Sequence, residues 1–436
     1  MPVAEYNAGT ARFYAVDDDA SSSKFKYYGG VLLPSGKVAL VPFSDNKVGL
    51  FDPATDALSA VGNDVSDGGK YNGGVLLPSG KVVCVPFHAE EVGIFDPAAD
   101  TFSLASATSS DRSKYSGGVL LPSGKVAFVP FDAKRVGLFD PETDTFSLVG
   151  DTLKGSGSGQ YWGGVLLPSG KVVCVPFEAD QVGIFDPAED TFTLVGAKIE
   201  GSGKYGGGVL LPSGKVVLVP YNADQVGVFD PTTDTISLVG PSLVGVGRYL
   251  VEQDGPRDVL EGSSEPGEGK KYLGGVLLPS GLVVFVPHYA DHVRVFDPAT
   301  LTFSFVGDPL RGGSGSVLPE PEKFRGGVLL PSGEVAFVSF KTKKLGIFDP
   351  GNTEPAYTVE VTLHTHTHTH SHTHSHTHTH SHTQHSHSHS TLAHTHTHAH
   401  THTVHLEARC SPDALRAQRR PGRVRLNIDR NGYKYR

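Results

Sequence analysis

The sequence predicts an all-β protein: a seven-bladed β-propeller of four-stranded blades, followed by a disordered C-terminal tail. Each of seven repeat units, about 44 residues long in its shortest form, holds four short runs rich in Val, Ile, Leu and Phe with turn residues between them. No unit shows sustained helical periodicity. The string Gly-Gly-Val-Leu-Leu-Pro-Ser-Gly marks the units and begins at Gly29, Gly73, Gly117, Gly163, Gly207, Gly274 and Gly326.

Residue types define the four strands of a unit and the turns between them. Between the first two strands of the second unit, Pro78 fixes φ at the first corner of a turn and Gly80 can take positive φ, which suits a tight hairpin. After the third strand, the Asp96 side chain can accept a hydrogen bond from the backbone ahead of it, while Pro97 opens the turn. The predicted strands of this unit are 73–77, 81–87, 92–95 and 101–104.

The two ends of the repeat region indicate how the ring closes. Residues 12–16 precede the first unit in the way that an outer strand precedes every later unit, and the seventh unit loses the pattern after Pro350. We therefore expect 12–16 to supply the missing outer strand of the last blade, with 356–363 as the competing segment. Circular closure leaves only short, protected strand edges. The propeller domain is predicted to span 11–362.

Beyond the propeller the composition changes twice. Nineteen of the 22 histidines fall in a His/Thr/Ser low-complexity segment, 363–405. Its alternating histidines would suit a metal ion, and they are equally what a slipped DNA repeat would encode. The basic tail, 406–436, holds nine Lys and Arg against three Asp and Glu and is predicted to be disordered.

Composition excludes several classes of protein. The formal net charge is −9, and the part before the basic tail is more acidic still, which argues against nucleic-acid binding. The sequence contains no run of 18 apolar residues, so it predicts no membrane span. The first 20 residues do not resemble a secretory signal. The three cysteines, Cys84, Cys174 and Cys410, cannot form a disulfide framework. We expect a monomeric, cytoplasmic protein.

Over residues 11–350 the units resemble the repeats of Kelch-like and galactose-oxidase-like propellers. The shared features are an apolar first strand, a Pro-x-Gly turn, a Val-rich second strand and a third strand ending in Phe-Asp-Pro-x-Thr. Two features depart from the Kelch pattern: Val85-Pro86-Phe87 stands where a Gly pair is usual, and Phe102 stands where a Trp is usual. The resemblance implies this fold and binding through variable loops, without a shared active site.

A copper site of the galactose-oxidase kind is not expected. Such a site needs two His, two Tyr and a Cys bonded to one Tyr, whereas Cys84 and Cys174 occupy a core position that holds Leu or Phe in the other units. The prediction is therefore no cofactor, no metal ion and no catalytic residue.

The connections from the second to the third strand, and from the fourth strand to the next unit, open on one side of a propeller, here called the loop face. Both sets of connections differ among the units, while the hairpin turns opposite hardly change. Function in repeat folds sits where units differ on a shared scaffold. The loop face is predicted to bind a protein partner or a small anionic or glycan ligand, unless its loops vary without consequence.

A lysine and an aromatic residue precede nearly every Gly-Gly string. Sevenfold closure would place them as two rings near the channel mouth, where ammonium groups attract an anion and aromatic faces stack on a sugar or base. The alternative is that the tyrosines pack between blades and the lysines extend to solvent. The ligand-binding candidates are Lys26, Tyr27, Lys70, Tyr71, Lys114, Tyr115, Tyr161, Trp162, Lys204, Tyr205, Lys271, Tyr272 and Lys323.

The sixth unit departs most from the pattern and completes the candidate set with His288, Tyr289, Asp291 and His292. Its two histidines and the aspartate would suit an acid–base or metal cluster, or they reflect ordinary loop divergence. The sequence thus predicts a non-catalytic binding or protein-interaction scaffold. The alternatives are an enzyme with its site at the channel mouth near the sixth unit, and a lectin-like module that binds glycans through the tyrosines.

Overall fold

The computed structural model of the chain describes residues 11–17, 25–65, 68–153, 158–244, 246, 269–306, 310 and 322–351. These residues form seven four-stranded antiparallel sheets, so the predicted seven-bladed β-propeller is confirmed. The low-complexity segment 363–405, the basic tail 406–436 and the competing strand 356–363 lie outside the described residues.

Strand order within each sheet follows the chain, except in the blade that joins the two ends. Strand β1 is Arg12–Asp17. The strands of blades one to three are β2 Tyr27–Leu32, β3 Val38–Pro42, β4 Val48–Asp52, β5 Ala57–Val61, β6 Tyr71–Leu76, β7 Val82–Pro86, β8 Glu91–Asp96, β9 Thr101–Ala107, β10 Tyr115–Leu120, β11 Val126–Pro130, β12 Val136–Asp140 and β13 Thr145–Val149.

Blades four to seven repeat this arrangement. Their strands are β14 Tyr161–Leu166, β15 Val172–Pro176, β16 Val182–Asp186, β17 Thr191–Val195, β18 Tyr205–Leu210, β19 Val216–Pro220, β20 Val226–Asp230, β21 Thr235–Val239, β22 Tyr272–Leu277, β23 Val283–Pro287, β24 Val293–Asp297, β25 Thr302–Val306, β26 Phe324–Leu329, β27 Val335–Ser339 and β28 Lys344–Asp349. No helix in the described part of the chain is long and apolar enough to cross a membrane.

The Gly-Gly pair of each unit allows the innermost strands to meet. Gly117 has a φ of +83°, and a Cβ added there would lie 3.1 Å from the Cα of Gly163 in the next blade. A Cβ added at the second glycine, Gly118, would lie 2.8 Å from Cγ2 of Val85 in the preceding blade. Equivalent contacts recur around the ring and join the last blade to the first. At the first glycine of each pair, only glycine tolerates both the positive φ and the close contact with the backbone of the next blade.

The core lies between adjacent blades. One cluster of buried residues joins Val31 and Val41 of blade one to Val82, Cys84 and Phe95 of blade two. Burial raises the pKa of the Cys84 thiol to about 12, so this cysteine stays a protonated apolar side chain at neutral pH. The predicted core role of Cys84 is confirmed.

Strand β1 closes the ring as the outer strand of blade seven. It pairs antiparallel with β28 over its whole length, from Arg12 opposite Asp349 to Asp17 opposite Lys344. The ring centroid of Phe13 lies 6.1 Å from that of Phe337, in the core of the same blade. The predicted closing segment, 12–16, is thereby confirmed.

Candidate functional site

One position of the inner strand carries a different residue in every blade. It directly precedes the Gly-Gly pair, within a string that is otherwise nearly unchanged, whereas duplication alone would leave one residue type there. We call these the axial residues: Tyr28, Asn72, Ser116, Trp162, Gly206, Leu273 and Arg325.

The axial residues converge at the centre of the propeller. The ring centroids of Tyr28 in blade one and Trp162 in blade four lie 5.9 Å apart, which brings together blades that are not neighbours in the ring. Asn72 Nδ2 donates a hydrogen bond to Ser116 Oγ at 3.1 Å. The Arg325 guanidinium carbon lies 4.8 Å from the Tyr28 ring centroid. Trp162 and Arg325 are partly exposed, so a ligand could contact these two side chains at the axis.

An aromatic collar surrounds the axial residues, with one member from the end of each second strand. Neighbouring ring centroids lie 5.4 to 6.4 Å apart, and the circle closes between the seventh blade and the first at 5.8 Å. The collar consists of Phe43, Phe87, Phe131, Phe177, Tyr221, His288 and Phe340. Its first four members are partly exposed. We call the collar and the axial residues together the axial site.

A circular belt of backbone hydrogen bonds holds the axial site in place. The N–H of Phe131 in the collar donates to the carbonyl of Lys114 at 2.9 Å, and the N–H of Lys114 donates to the carbonyl of Phe87 in the preceding blade at 2.9 Å. The alternation continues through all seven blades and closes from Lys26 N–H to Phe340 carbonyl at 3.0 Å. The collar therefore stands on rigid backbone, as a preorganised site requires.

The lysines that open the inner strands are buried rather than arranged around the channel. Lys26, Lys70, Lys114, Lys204, Lys271 and Lys323 each expose 2% or less of their surface. Lys114 Nζ donates to the carbonyls of Ala89 at 2.8 Å and Asp111 at 2.6 Å, which lie in connections of the loop face. Burial holds the pKa of Lys114 below its ordinary value, although Asp111 acts in the opposite direction.

The accessible ring of ammonium groups expected from the sequence is therefore wrong in its geometry. A long side chain that can place three donors among loop carbonyls satisfies buried backbone acceptors, and this outweighs extension to solvent. Anion binding by these lysines stays a prediction.

The tyrosines beside these lysines pack inside their own blades. Tyr27, Tyr71, Tyr115, Tyr161, Tyr205 and Tyr272 each expose 2% or less of their surface. A Cβ added at Gly93 of the third strand would lie 2.8 Å from Cζ of Tyr71, and Gly49 stands in the same relation to Tyr27. The same contact with an inner-strand tyrosine recurs at Gly137, Gly183 and Gly227, whereas blade six carries Arg294 at this position. This packing removes the exposed tyrosine faces that a lectin-like site would need.

The residues singled out in the sixth unit separate into three environments. His288 belongs to the collar and is 1% exposed; its Nδ1 lies 3.1 Å from the Phe324 carbonyl oxygen. Burial, together with nearby Arg325, holds the pKa of His288 well below its ordinary value. His292 lies instead against Phe305 of the outer strand, at 5.7 Å between ring centroids. No three His, Cys, Asp or Glu side chains among the described residues are placed to hold a metal ion.

Tyr289 forms part of a polar group between blades six and seven. Its hydroxyl donates to Glu322 Oε1 at 2.8 Å, and Lys341 Nζ lies 3.0 Å from Glu322 Oε2. Burial acts to raise the pKa of Glu322, but the hydrogen bonds from Lys341 and Tyr289 keep it below its ordinary value. The negative charge of the Glu322 carboxylate is therefore balanced by the ammonium group of Lys341.

A separate cleft of about 1160 Å³ lies on blade four and is lined by Glu178, Asp180, Phe192 and Lys198, among others. Its carboxylates are engaged: Glu178 accepts a hydrogen bond from Ser202 at 2.9 Å, and Lys198 Nζ lies 3.9 Å from Asp180. Side chains from all seven blades converge at the axis, but they do not converge on this cleft.

Sequence reasoning named only Trp162 among the axial residues and only His288 among the collar. The missed signal was present in the sequence, because seven different residues follow a nearly constant Lys-Tyr pair. Their meeting on one axis required the closed ring.

The fold and its asymmetric centre define the class of protein: a seven-bladed β-propeller with an axial site on its loop face. The chain matches no family model and no curated protein sequence. Membership of the Kelch family is thus not shown.

Solved structures resemble the chain in fold. Virginiamycin B lyase from Staphylococcus aureus superposes with a TM-score of 0.57 at 11% sequence identity, over 78% of this chain and 99% of that one. A streptogramin B lyase gives 0.58 at 14% identity, over 79% and 99%. The extracellular domain of a hybrid two-component system from B. thetaiotaomicron gives 0.54 at 9% identity, over 78% of this chain and 42% of that chain. At these identities the likeness concerns the fold alone.

Proposed function

We propose that the protein is a non-catalytic binding module whose ligand, or whose partner's side chain, enters the axial site on the loop face. One observation carries the proposal: seven different residues occupy one position of otherwise nearly identical inner strands, and they meet at one rigid point. The scaffold repeats from blade to blade, whereas the axial position differs in every blade. Small-molecule sites are lined mostly by apolar and aromatic side chains with a few placed polar groups, and the axial site has this composition.

Further features belong to the same proposal. The four-stranded blades support the Kelch-like relationship, although the Gly-pair and Trp positions depart from it. The buried, unpaired thiols of Cys84 and Cys174 support a reducing, cytoplasmic location. Pairing of β1 with β28 completes blade seven, so the strands of all seven blades come from one chain. This supports a monomer.

An enzyme at the same place is the second candidate, and His288 favours it. A neutral imidazole that donates through Nδ1 to a backbone carbonyl keeps Nε2 as a proton acceptor. A general base must reach its substrate within hydrogen-bonding distance, whereas His288 is enclosed by the collar. The likeness to two lyases concerns the fold alone and carries no argument for this alternative.

A ligand screen tests the proposal on the full chain. Glycans, organic anions and peptides are ranked by the rise in melting temperature, and each hit is measured by calorimetry against two variants. Trp162→Leu removes the partly exposed aromatic residue of the axis, and Phe305→Leu removes an exposed one at the rim.

We expect Trp162→Leu to weaken binding at least tenfold and Phe305→Leu to leave it unchanged. Equal affinity for both variants would place the site elsewhere and overturn the proposal. Mass spectrometry of the ligand after incubation separates the two candidates, because conversion of the ligand would establish the enzyme.

A further inference from the structure

Arg325 is the charged member of the axial residues, and its environment is apolar. Its guanidinium carbon lies 3.5 Å from the ring centroid of Phe340 and 4.8 Å from that of Tyr28. Arg325 Nε is buried and donates no hydrogen bond, and no carboxylate of the described residues forms an ion pair with this side chain. The nearby carboxylate of Glu322 is instead held by Lys341 and Tyr289.

The partial burial of a cation against aromatic rings, with no carboxylate paired to it directly, carries a desolvation cost. Stacking on the face of Phe340 offsets part of this cost, because the guanidinium is attracted to the negative face of the ring. It leaves Nε, one of the in-plane donors, without a hydrogen-bond partner among the described residues. In-plane guanidinium donors pair with a carboxylate through two parallel hydrogen bonds. A planar anion complements a donor set of this kind.

The surroundings of Arg325 indicate the remainder of the ligand. Trp162, partly exposed and 5.9 Å from Tyr28, offers an aromatic face next to the Tyr28–Arg325 pair. Trp162 also lies against the collar, 4.8 Å from Phe177 between ring centroids. A flat apolar group stacks on such surfaces, whereas a hydrated inorganic anion gains nothing from them.

We propose that the axial site binds a small aromatic carboxylate, with Arg325 pairing to the carboxylate and Trp162 and Tyr28 contacting the aromatic ring. This inference rests on the proposed function and specifies its ligand class.

The chain contains a single tryptophan, and that residue is Trp162. Its fluorescence therefore reports on the axial site alone. The full chain is titrated with 4-hydroxybenzoate, with its neutral counterpart 4-hydroxybenzamide, and with acetate and inorganic phosphate; calorimetry supplies the dissociation constants. The variants are Arg325→Gln, Arg325→Lys and the control Arg294→Gln. Arg294 also stacks on a phenylalanine, 4.4 Å from the Phe305 centroid, but at the rim of blade six.

We expect 4-hydroxybenzoate to change Trp162 fluorescence and to bind at least tenfold more tightly than the amide, acetate or phosphate. Arg325→Gln should lower its affinity at least tenfold, Arg325→Lys should lower it less, and Arg294→Gln should leave it unchanged. Added salt should weaken binding to the native chain more than to Arg325→Gln.

The failures are distinguishable. If the amide binds as tightly as the carboxylate, or Arg325→Gln binds as tightly as the native chain, the aromatic-carboxylate inference is overturned while the axial site stands. A stronger response to phosphate or acetate also overturns it and indicates a simple anion site. If no compound in this titration or in the wider screen alters Trp162 fluorescence, the proposed function fails as well. Should Arg325→Gln fail to fold, the comparison of carboxylate with amide on the native chain decides the question.

Discussion

Removal of residues 1–18 deletes β1 and should destabilise the whole propeller. The deletion opens blade seven to three strands and exposes the edge of β28, which β1 otherwise pairs over six residue positions. It also removes the ion pair of Arg12 with Asp349, at 2.9 Å. Since β1 comes from the opposite end of the chain, its loss leaves the ring without the contact that ties the two ends together.

The magnitude follows from the side chains of β1. Phe13, Tyr14 and Val16 are partly buried. Phe13 lies 6.1 Å from both Phe324 and Phe337 between ring centroids. Full burial of one large apolar side chain contributes about 1.5–3 kcal/mol. Three side chains buried in part therefore give a loss of about 4 kcal/mol, a large fraction of the roughly 5–15 kcal/mol that stabilises a typical domain.

Urea unfolding followed by circular dichroism measures the loss. The matched control removes residues 1–10 and keeps β1 intact. We expect the shorter deletion to match the full chain and the longer one to lower the free energy of unfolding by about 4 kcal/mol. Equal stability of the two deletions would refute the closure described here. If the longer deletion does not fold, Phe13→Ala provides a graded test, with an expected loss of about 2 kcal/mol.

Three further predictions concern the repeat. Gly117→Ala should cost at least about 2 kcal/mol more than Gly124→Ala in urea unfolding, because both have a φ of +83° but only the former Cβ would meet backbone. Lys114→Met should destabilise by about 2 kcal/mol, since buried carbonyls lose their donor, and Lys114→Gln should cost less, because blade four already carries Gln160 there. The third is alkaline unfolding: burial raises the pKa of Tyr205 to about 12, so the unfolded chain releases protons from pH 10 upward, before the folded chain does, and stability falls as pH rises. Each buried tyrosine then contributes about 1.4 kcal/mol per pH unit to the loss, and absorbance at 295 nm should change together with circular dichroism; ionisation without unfolding would contradict this.

Local patterns were sufficient for the fold and its closure. The Pro-Ser-Gly turns, the short Val-rich strands and the repeat period define a four-stranded unit, because turn geometry and strand alternation act over a few residues. Counting units and noting the spare strand at 12–16 then predicted the ring. Cys84 and Cys174 could be assigned to the core in the same way, from the apolar residues that replace them in other units.

The direction of the lysine side chains depended on contacts between blades, which no single repeat contains, and that of the tyrosines depended on packing between strands within a blade. Lys114 extends to carbonyls of loop-face connections instead of the channel, and Tyr71 lies on Gly93 of its own blade, because buried acceptors and close packing determine their rotamers. The axial site depended on closure as well. Tyr28 and Trp162 are 134 positions apart in the chain, and only a completed seven-membered ring brings them to one axis, since contacts between such distant residues are set by the tertiary fold and not by sequence neighbours.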